Sequence, residues 1–264
     1  MDFGRLLREE RRRARHETAG TKVSLIETKA TDTPATVTAS EQCAVSWQSA
    51  GLKVWRPRSS AAPLDLDALQ RGPIRGVCYI PNWLTQDEED AILDRVYAVP
   101  DDSASWVQLK HRRLQRWGGE VKSPFMSEPL PQWLQQISQT LVDVGVFHDA
   151  KKPNHALINE YAVGDYILPH EDGRAYFPLV CILSIGADCR VTFQPHQRDA
   201  AAATHEGDST SAPQRTFTQH SAFPLERRSL LVFTGEAYSR YLHSIDNVEV
   251  GTRVSLTLRH VDLL

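Results

Sequence analysis

TRVSLTLRHV, residues 252–261, decides the architecture of this chain. In a β-strand successive side chains point to opposite faces. Val254, Leu256 and Leu258 therefore share one face, and Arg253, Ser255, Thr257 and Arg259 share the other. The apolar face demands a core behind it, so this is not a peripheral edge with one side in water. Two arginines flanking two hydroxyls make a poor core and a good receptor for a dicarboxylate. Arginine grips a carboxylate through a two-pronged fork, and hydroxyls add neutral donors.

Working outward, the chain after residue 154 is almost wholly strand-like: ALINEY (156–161), YILP (166–169), PLVCILSIG (178–186), RVTFQ (190–194) and SLLVFTG (229–235). PLVCILSIG and SLLVF are nearly continuous in apolar character, as expected of central strands buried on both faces. Earlier, RGVCYIP (75–81) predicts a strand, and SWVQL (105–109) through Trp117 is extended. Thr85 and Glu88 form a capping box ahead of a helix that buries Ala91, Ile92 and Val96. PLPQWLQQISQTLVDVGVF (129–147) predicts a second amphipathic helix through Trp133, Leu134, Ile137, Leu141 and Val144. Helices followed by a run of short strands argue for an α+β domain built on a double-sheet β barrel or jelly roll, and the expectation is a double-stranded β-helix (jelly-roll) core with N-terminal supporting helices.

The organisation is uneven along the 264 residues. Residues 1–45 are a basic N-terminal segment, six arginines against three acids in the first sixteen, followed by a Thr/Ala/Ser-rich linker of disordered composition. Residues 46–73 form an irregular lead-in, and the domain proper spans 74–264. A polar insertion at about 194–224 is too long for an ordinary connection. The net charge of −3 gives no global pull toward nucleic acid, so any such binding must come from local patches. Cys43, Cys78, Cys181 and Cys189 form no CxxC pair and read as reduced thiols. No apolar run is long enough to span a membrane. The expectation is a soluble monomer of nucleus and cytoplasm, without a membrane partner.

Two His-x-Asp patterns occur: His170 with Asp172, and His260 with Asp262, the latter with no histidine after it. In an extended segment His170 and Asp172 share a face while Glu171 points away. A facial triad of two histidines and one carboxylate needs one further histidine from a neighbouring strand, and leaves three coordination positions open. His243, in YLHSI after the buried strand, is the natural candidate; His196, His205 and His220 lie in the polar insertion and are expected to be solvated. Residues 108–122, QLKHRRLQRWGGEVK, hold five Lys/Arg against one acid around Trp117. Such a segment suits phosphate contact through Arg112, Arg113 and Arg116, with base stacking on Trp117. Equally, Trp117 is buried and the basic residues solvate a β-ribbon. Arg174 and Tyr176 either line the mouth of the site or shape the turn into PLVCIL.

Asn159-x-Tyr161, His170-x-Asp172, His243, and Arg253 followed by Arg259 together resemble the AlkB family. These are dioxygenases dependent on Fe(II) and 2-oxoglutarate that oxidise N-methyl groups on nucleobases. YIPNWLTQDEE (79–89), LQRWGG (114–119), PHEDG (169–173), RSLLVFTGEAYSRYLHSI (228–245) and GTRVSLTLR (251–259) are similar to its sixth animal branch and that branch's plant relatives, across about 75–262. The resemblance implies that His170, Asp172 and His243 bind Fe(II). It implies that Arg253 clamps the distal carboxylate of 2-oxoglutarate, with Asn159, Tyr161, Ser255, Thr257 and Arg259 lining the same pocket. With O2 as second co-substrate, oxidation of an N-methyl group ends in release of formaldehyde. Residues 108–122 match a lid that holds an unpaired or flipped nucleotide. Methylated RNA or single-stranded DNA is the expected partner. A protein hydroxylase or demethylase of the same fold, and a catalytically weak scaffold, are the alternatives.

Overall fold

Seven strands form the main sheet: β1 (Val77–Ile80), β2 (Trp106–Leu109), β3 (Arg112–Trp117), β6 (His155–Tyr161), β8 (Leu179–Ile185), β11 (Ser229–Thr234) and β13 (Arg253–Arg259). Their spatial order is β1-β11-β8-β13-β6-β3-β2, and every paired strand is antiparallel. A second sheet runs β10 (Ser221–Leu225), β9 (Cys189–Pro195), β12 (Tyr241–Ile245), β7 (Ile167–His170). β4 (Gly119–Glu120) and β5 (Met126–Ser127) make a separate ribbon. The computed structural model describes residues 50–58, 62–196 and 219–262. The basic segment and linker of 1–45, His205 and most of the 194–224 insertion lie outside them.

The period-two alternation of the central strands sorts the interior into two cores. Ala156, Ile158, Cys181, Leu183, Leu230, Val232, Val254, Leu256 and Leu258 turn to the helices. Leu157, Tyr161, Val180, Ile182, Leu231 and Phe233 turn to the second sheet, where they meet Val191, Phe193, Tyr241 and Ile245. Each fully buried Leu, Ile or Val adds roughly 1.5–3 kcal/mol. The near-continuous apolar strands are therefore sandwiched on both sides, as their sequence predicts.

Helix α1 (Gln86–Tyr97) starts at the expected box: Thr85 Oγ1 accepts from the Glu88 amide at 3.2 Å, and Glu88 Oε2 accepts from the Thr85 amide at 3.0 Å. Glu89, on the same helix, is fully buried and ties the helix to two turns. It accepts from the Gly186 amide at 2.8 Å and from Arg227 Nη2 at 2.7 Å. Helix α2 (Gln132–Asp143) is shorter than its periodicity suggests. Extended Pro131 caps its start, and Gly145 at φ +79° ends it, with the Val146 and Phe147 amides folding back onto the Leu141 carbonyl. Trp133, Leu134, Ile137, Leu141 and Val144 are all buried as expected. Packing begins before residue 74, since Leu52 and Trp55 already sit in the helix-side core. Cys78, Cys181 and Cys189 are free thiols, and burial pushes the Cys78 thiol up to about 11.

Candidate metal and 2-oxoglutarate site

The site lies between the two sheets, and strand register assembles it. On the second sheet His243 of β12 is the direct cross-strand partner of His170 of β7. Their rings stand 4.2 Å apart, centroid to centroid. β7 is the edge strand and carries a bulge, since two steps on β12 (His243 to Ile245) answer three on β7 (His170 to Ile167). Pro169 falls within that bulge; it has no N–H for a ladder, which an edge tolerates. His170 Nδ1 lies 2.9 Å from the Leu168 carbonyl. A carbonyl only accepts, so Nδ1 carries the proton and Nε2 keeps its lone pair for a ligand. Burial, and then the neighbouring His243, push His170 well below the usual imidazole range. Burial lowers His243 as well, against the pull of Asp172. Both rings are thus neutral, the form that binds metal.

Asp172 completes the group. Its Oδ2 stands 3.8 Å from His243 Nε2 and is buried with no hydrogen-bond partner, while Oδ1 accepts from Arg259 Nη1. Among the described residues no three His, Cys, Asp or Glu side chains converge fully on one point. Asp172 is instead engaged by Arg259. An orphaned carboxylate oxygen beside two neutral imidazoles is nonetheless what a divalent ion with mixed N and O ligands requires. Glu171 points elsewhere, with Oε2 3.5 Å from His196 Nε2. That contact corrects one expectation: His196 is 7% exposed and packed, not solvated, whereas His220 is exposed.

The opposite wall is the polar face of β13. Arg253, Ser255, Thr257 and Arg259 line one cavity with Asn159, Tyr161, His170, Asp172 and His243. Arg253 donates through Nη2 to Ser184 Oγ at 3.0 Å and lies over the Tyr161 ring at 5.2 Å, but its Nε and Nη1 have no partner among the described residues. A buried guanidinium with unspent donors is stable only if an anion completes it. Arg259 stacks on Tyr176 at 4.0 Å. Burial works against its charge, but Tyr176 and Asp172 outweigh burial and hold the guanidinium charged. The cavity measures about 30 Å³. A groove of about 1080 Å³ runs along the outer face of the second sheet beside Thr192, Gln194 and Ser244, away from the histidines.

The basic segment is placed differently from the simple surface reading. β3 lies between β6 and the edge strand β2, and its side chains alternate. Leu114 packs in the inter-sheet core, which puts Arg112 and Arg116 on the same, site-facing side. Trp117 shares the other face with Gln115 and Arg113 and packs on the helix-side core, its Nε1 donating to Gln115 Oε1 at 3.0 Å. Trp117 is therefore turned away from the cavity and is not a stacking platform there. Arg112 is 1% exposed and donates to Asn159 Oδ1 at 3.1 Å, so it braces a residue that lines the cavity and is not a phosphate contact. Arg113 is held by Glu160 at 2.6 Å and Asp101 at 2.8 Å. Arg116 alone of the three arginines is exposed. Tyr176 is buried over Arg259, and Arg174 is exposed. Ser184 and the burial of Arg112 escaped the sequence pattern, because both depend on strand pairing.

A family model described as the 2OG-Fe(II) oxygenase superfamily matches residues 101–259. The chain belongs to this superfamily. Within it the chain is an AlkB-family oxygenase: it is 36% identical over 214 residues to the "Probable RNA/DNA demethylase ALKBH6" of Danio rerio, covering 70% of this chain and 85% of that protein. It is 27% identical over 179 residues to the "tRNA (carboxymethyluridine(34)-5-O)-methyltransferase ALKBH8" of Macaca fascicularis, and 26% over 135 residues to the "RNA demethylase ALKBH9B" of Arabidopsis thaliana; these span 64% and 51% of this chain, and 24% of each relative. The solved structure of OsALKBH1 superposes with a TM-score of 0.51 at 13% identity, covering 72% of this chain and all of that one, which shows the fold. The oxygenase uses Fe(II), with 2-oxoglutarate and O2 as co-substrates.

Proposed function

We propose that this oxygenase oxidatively demethylates N-methylated nucleobases in RNA or single-stranded DNA. The observation that carries the reading is the cross-strand pairing of His170 with His243 beside Asp172, facing the arginine-lined wall of β13. His170, Asp172 and His243 would hold Fe(II), and Arg253 would take the distal carboxylate of 2-oxoglutarate. Asn159, Tyr161, Ser255, Thr257 and Arg259 complete that pocket. When bound, the iron supplies O2 activation coupled to decarboxylation of 2-oxoglutarate, which oxidises the N-methyl carbon.

The chain's own residues do the rest. Leu168 fixes the His170 tautomer through its carbonyl. Arg259 restrains Asp172 by donating through Nη1 to Oδ1. Arg253, fixed by Ser184, offers its remaining donors to an anion. Leu157, Ile167, Ile182 and Ile245 line the cavity and exclude water, which strengthens every charge contact inside. Arg116 and Arg174 are exposed, and on this reading they would meet phosphates. The names of the Danio rerio and Arabidopsis thaliana relatives, a probable RNA/DNA demethylase and an RNA demethylase, support nucleic acid as substrate. Succinate and formaldehyde release should be measured on methylated RNA, methylated single-stranded DNA and methylated histone peptides, with His170→Ala as blank. Release with peptides alone would overturn the nucleic-acid reading.

A further inference from the structure

We propose that Tyr238 is a positioning residue of the metal site: by holding the turn that follows Asp172, it sets where that carboxylate points. This inference rests on the reading that His170, Asp172 and His243 hold the metal, and extends it to a residue outside that group. The chain reaches the group through two crossovers. The first leaves β7 of the second sheet after His170, carries Asp172 and Gly173, and enters β8 of the main sheet at Leu179. The second leaves β11 of the main sheet through the short helix α3 (Gly235–Arg240) and enters β12, which carries His243. Tyr238, on α3, donates its hydroxyl to the Gly173 carbonyl at 2.7 Å and so joins the two crossovers.

Before the turn, His170 is held by its pairing with His243 and by the Leu168 carbonyl. After it, the Asp262 amide donates to the Ala175 carbonyl, and the Phe177 amide to the His260 carbonyl. Between these anchors Gly173 has φ +96°. Glycine enters that region and others freely, so the residue itself does not hold the turn in one shape. An aspartate side chain has two torsions, so the placement of its backbone largely decides where its oxygens can go. Arg259 acts on the Asp172 carboxylate directly; Tyr238 acts on the backbone beside it.

Tyr238 is itself anchored. Its neighbour Ala237 is 1% exposed in the inter-sheet core and donates its amide to the Arg75 carbonyl at 3.2 Å. The Tyr238 ring packs against the same core, 6.5 Å from the Phe233 ring, which lies 4.7 Å from the ring of His243. One side chain therefore serves both arms of the group: its hydroxyl steadies the turn beside Asp172, and its ring backs Phe233 beside His243. Burial, and then the Asp172 carboxylate, push the Tyr238 hydroxyl above its ordinary range, so it keeps its proton and remains a donor. Metal ligands must sit within about 0.2 Å of their ideal distances, and partners that orient them are worth about 10–100-fold in metal affinity.

The test uses Co(II) alone as the probe, titrated into full-length, metal-free protein by isothermal calorimetry, with His170→Ala as the blank. Tyr238→Phe keeps the ring and deletes the hydroxyl. Thr234→Val is the control, since Thr234 Oγ1 donates to the Pro178 carbonyl at 2.8 Å, joining the same two crossovers at their roots and not beside Asp172. Tyr238→Phe should weaken Co(II) binding about tenfold, while Thr234→Val stays within about twofold of wild type. Each variant loses one hydrogen bond, so both urea midpoints should fall by no more than about 0.5 M. Wild-type Co(II) affinity in Tyr238→Phe, or an equal loss in both variants, overturns this inference while the metal reading stands. A loss of affinity accompanied by a midpoint fall well beyond that of Thr234→Val marks general loosening and overturns it too. Wild-type binding no tighter than that of His170→Ala overturns the metal reading and this inference with it.

Discussion

Asp172 and Glu171 are adjacent in the chain, and replacing each by alanine gives the sharpest test of the site. Asp172 and Arg259 have side-chain exposures of 3% and 1%. Asp172→Ala removes a carboxylate from a buried charged pair, a change that costs about 3–5 kcal/mol. Glu171 is 35% exposed and its partner His196 is 3.5 Å away, a contact worth about 0–1 kcal/mol. With a urea slope of about 3 kcal/mol per molar for a domain of this size, the unfolding midpoint of iron-free Asp172→Ala should fall by about 1–1.7 M, and that of Glu171→Ala by less than about 0.4 M. Conversion of 2-oxoglutarate to succinate should vanish in the first variant and largely survive in the second. Unfolding is followed by circular dichroism and turnover by succinate release. Equal losses in the two variants would refute the placement of these acids on opposite faces.

Other outcomes follow from the same geometry. Glu89→Gln should cost about 1–3 kcal/mol at neutral pH, because it weakens a fully buried acceptor of Gly186 and Arg227. Burial raises the Glu89 carboxyl, but Arg227, Gly186 and Arg228 outweigh it and hold it below its ordinary value of 4.5. Its stabilisation is therefore present above that value and lost as pH falls through the lower folded-state value, so the gap between wild type and variant should close in acid urea melts. Arg116→Ala should reduce the slope of log affinity against log salt by about 1 for an oligonucleotide, measured by anisotropy at several salt concentrations. Gly186→Ala should cost more than about 1 kcal/mol in urea melts, since φ is +83° and a Cβ would lie 2.4 Å from the Thr252 carbonyl oxygen.

Much of the fold is legible because period two and period 3.6 are local signals. The strands of PLVCILSIG, SLLVF and TRVSLTLR, the cap at Thr85–Glu88 and the buried stripe of the second helix all appear where the pattern puts them. The end of α2 departs from its apolar periodicity because a glycine in the left-handed region overrides hydrophobic spacing. The arginine face of β13 is equally legible, being alternation within one strand.

The basic segment is where local reading ends. Charge and an aromatic in QLKHRRLQRWGG say nothing of which residue faces which neighbour. That depended on β3 taking its register from β6, which turns Trp117 to the helices, buries Arg112 against Asn159 and leaves Arg116 in solvent. The sequence by itself determined the strands, the two-faced β13 and the chemical types able to bind a metal and a dicarboxylate, because each is written in residues near one another. Only the tertiary structure decided that His170 meets His243, that Arg259 holds Asp172 and that Arg253 rests on Ser184. Those contacts join residues 73, 87 and 69 positions apart, set by strand register within each sheet and by the packing of one sheet on the other, which no local pattern encodes.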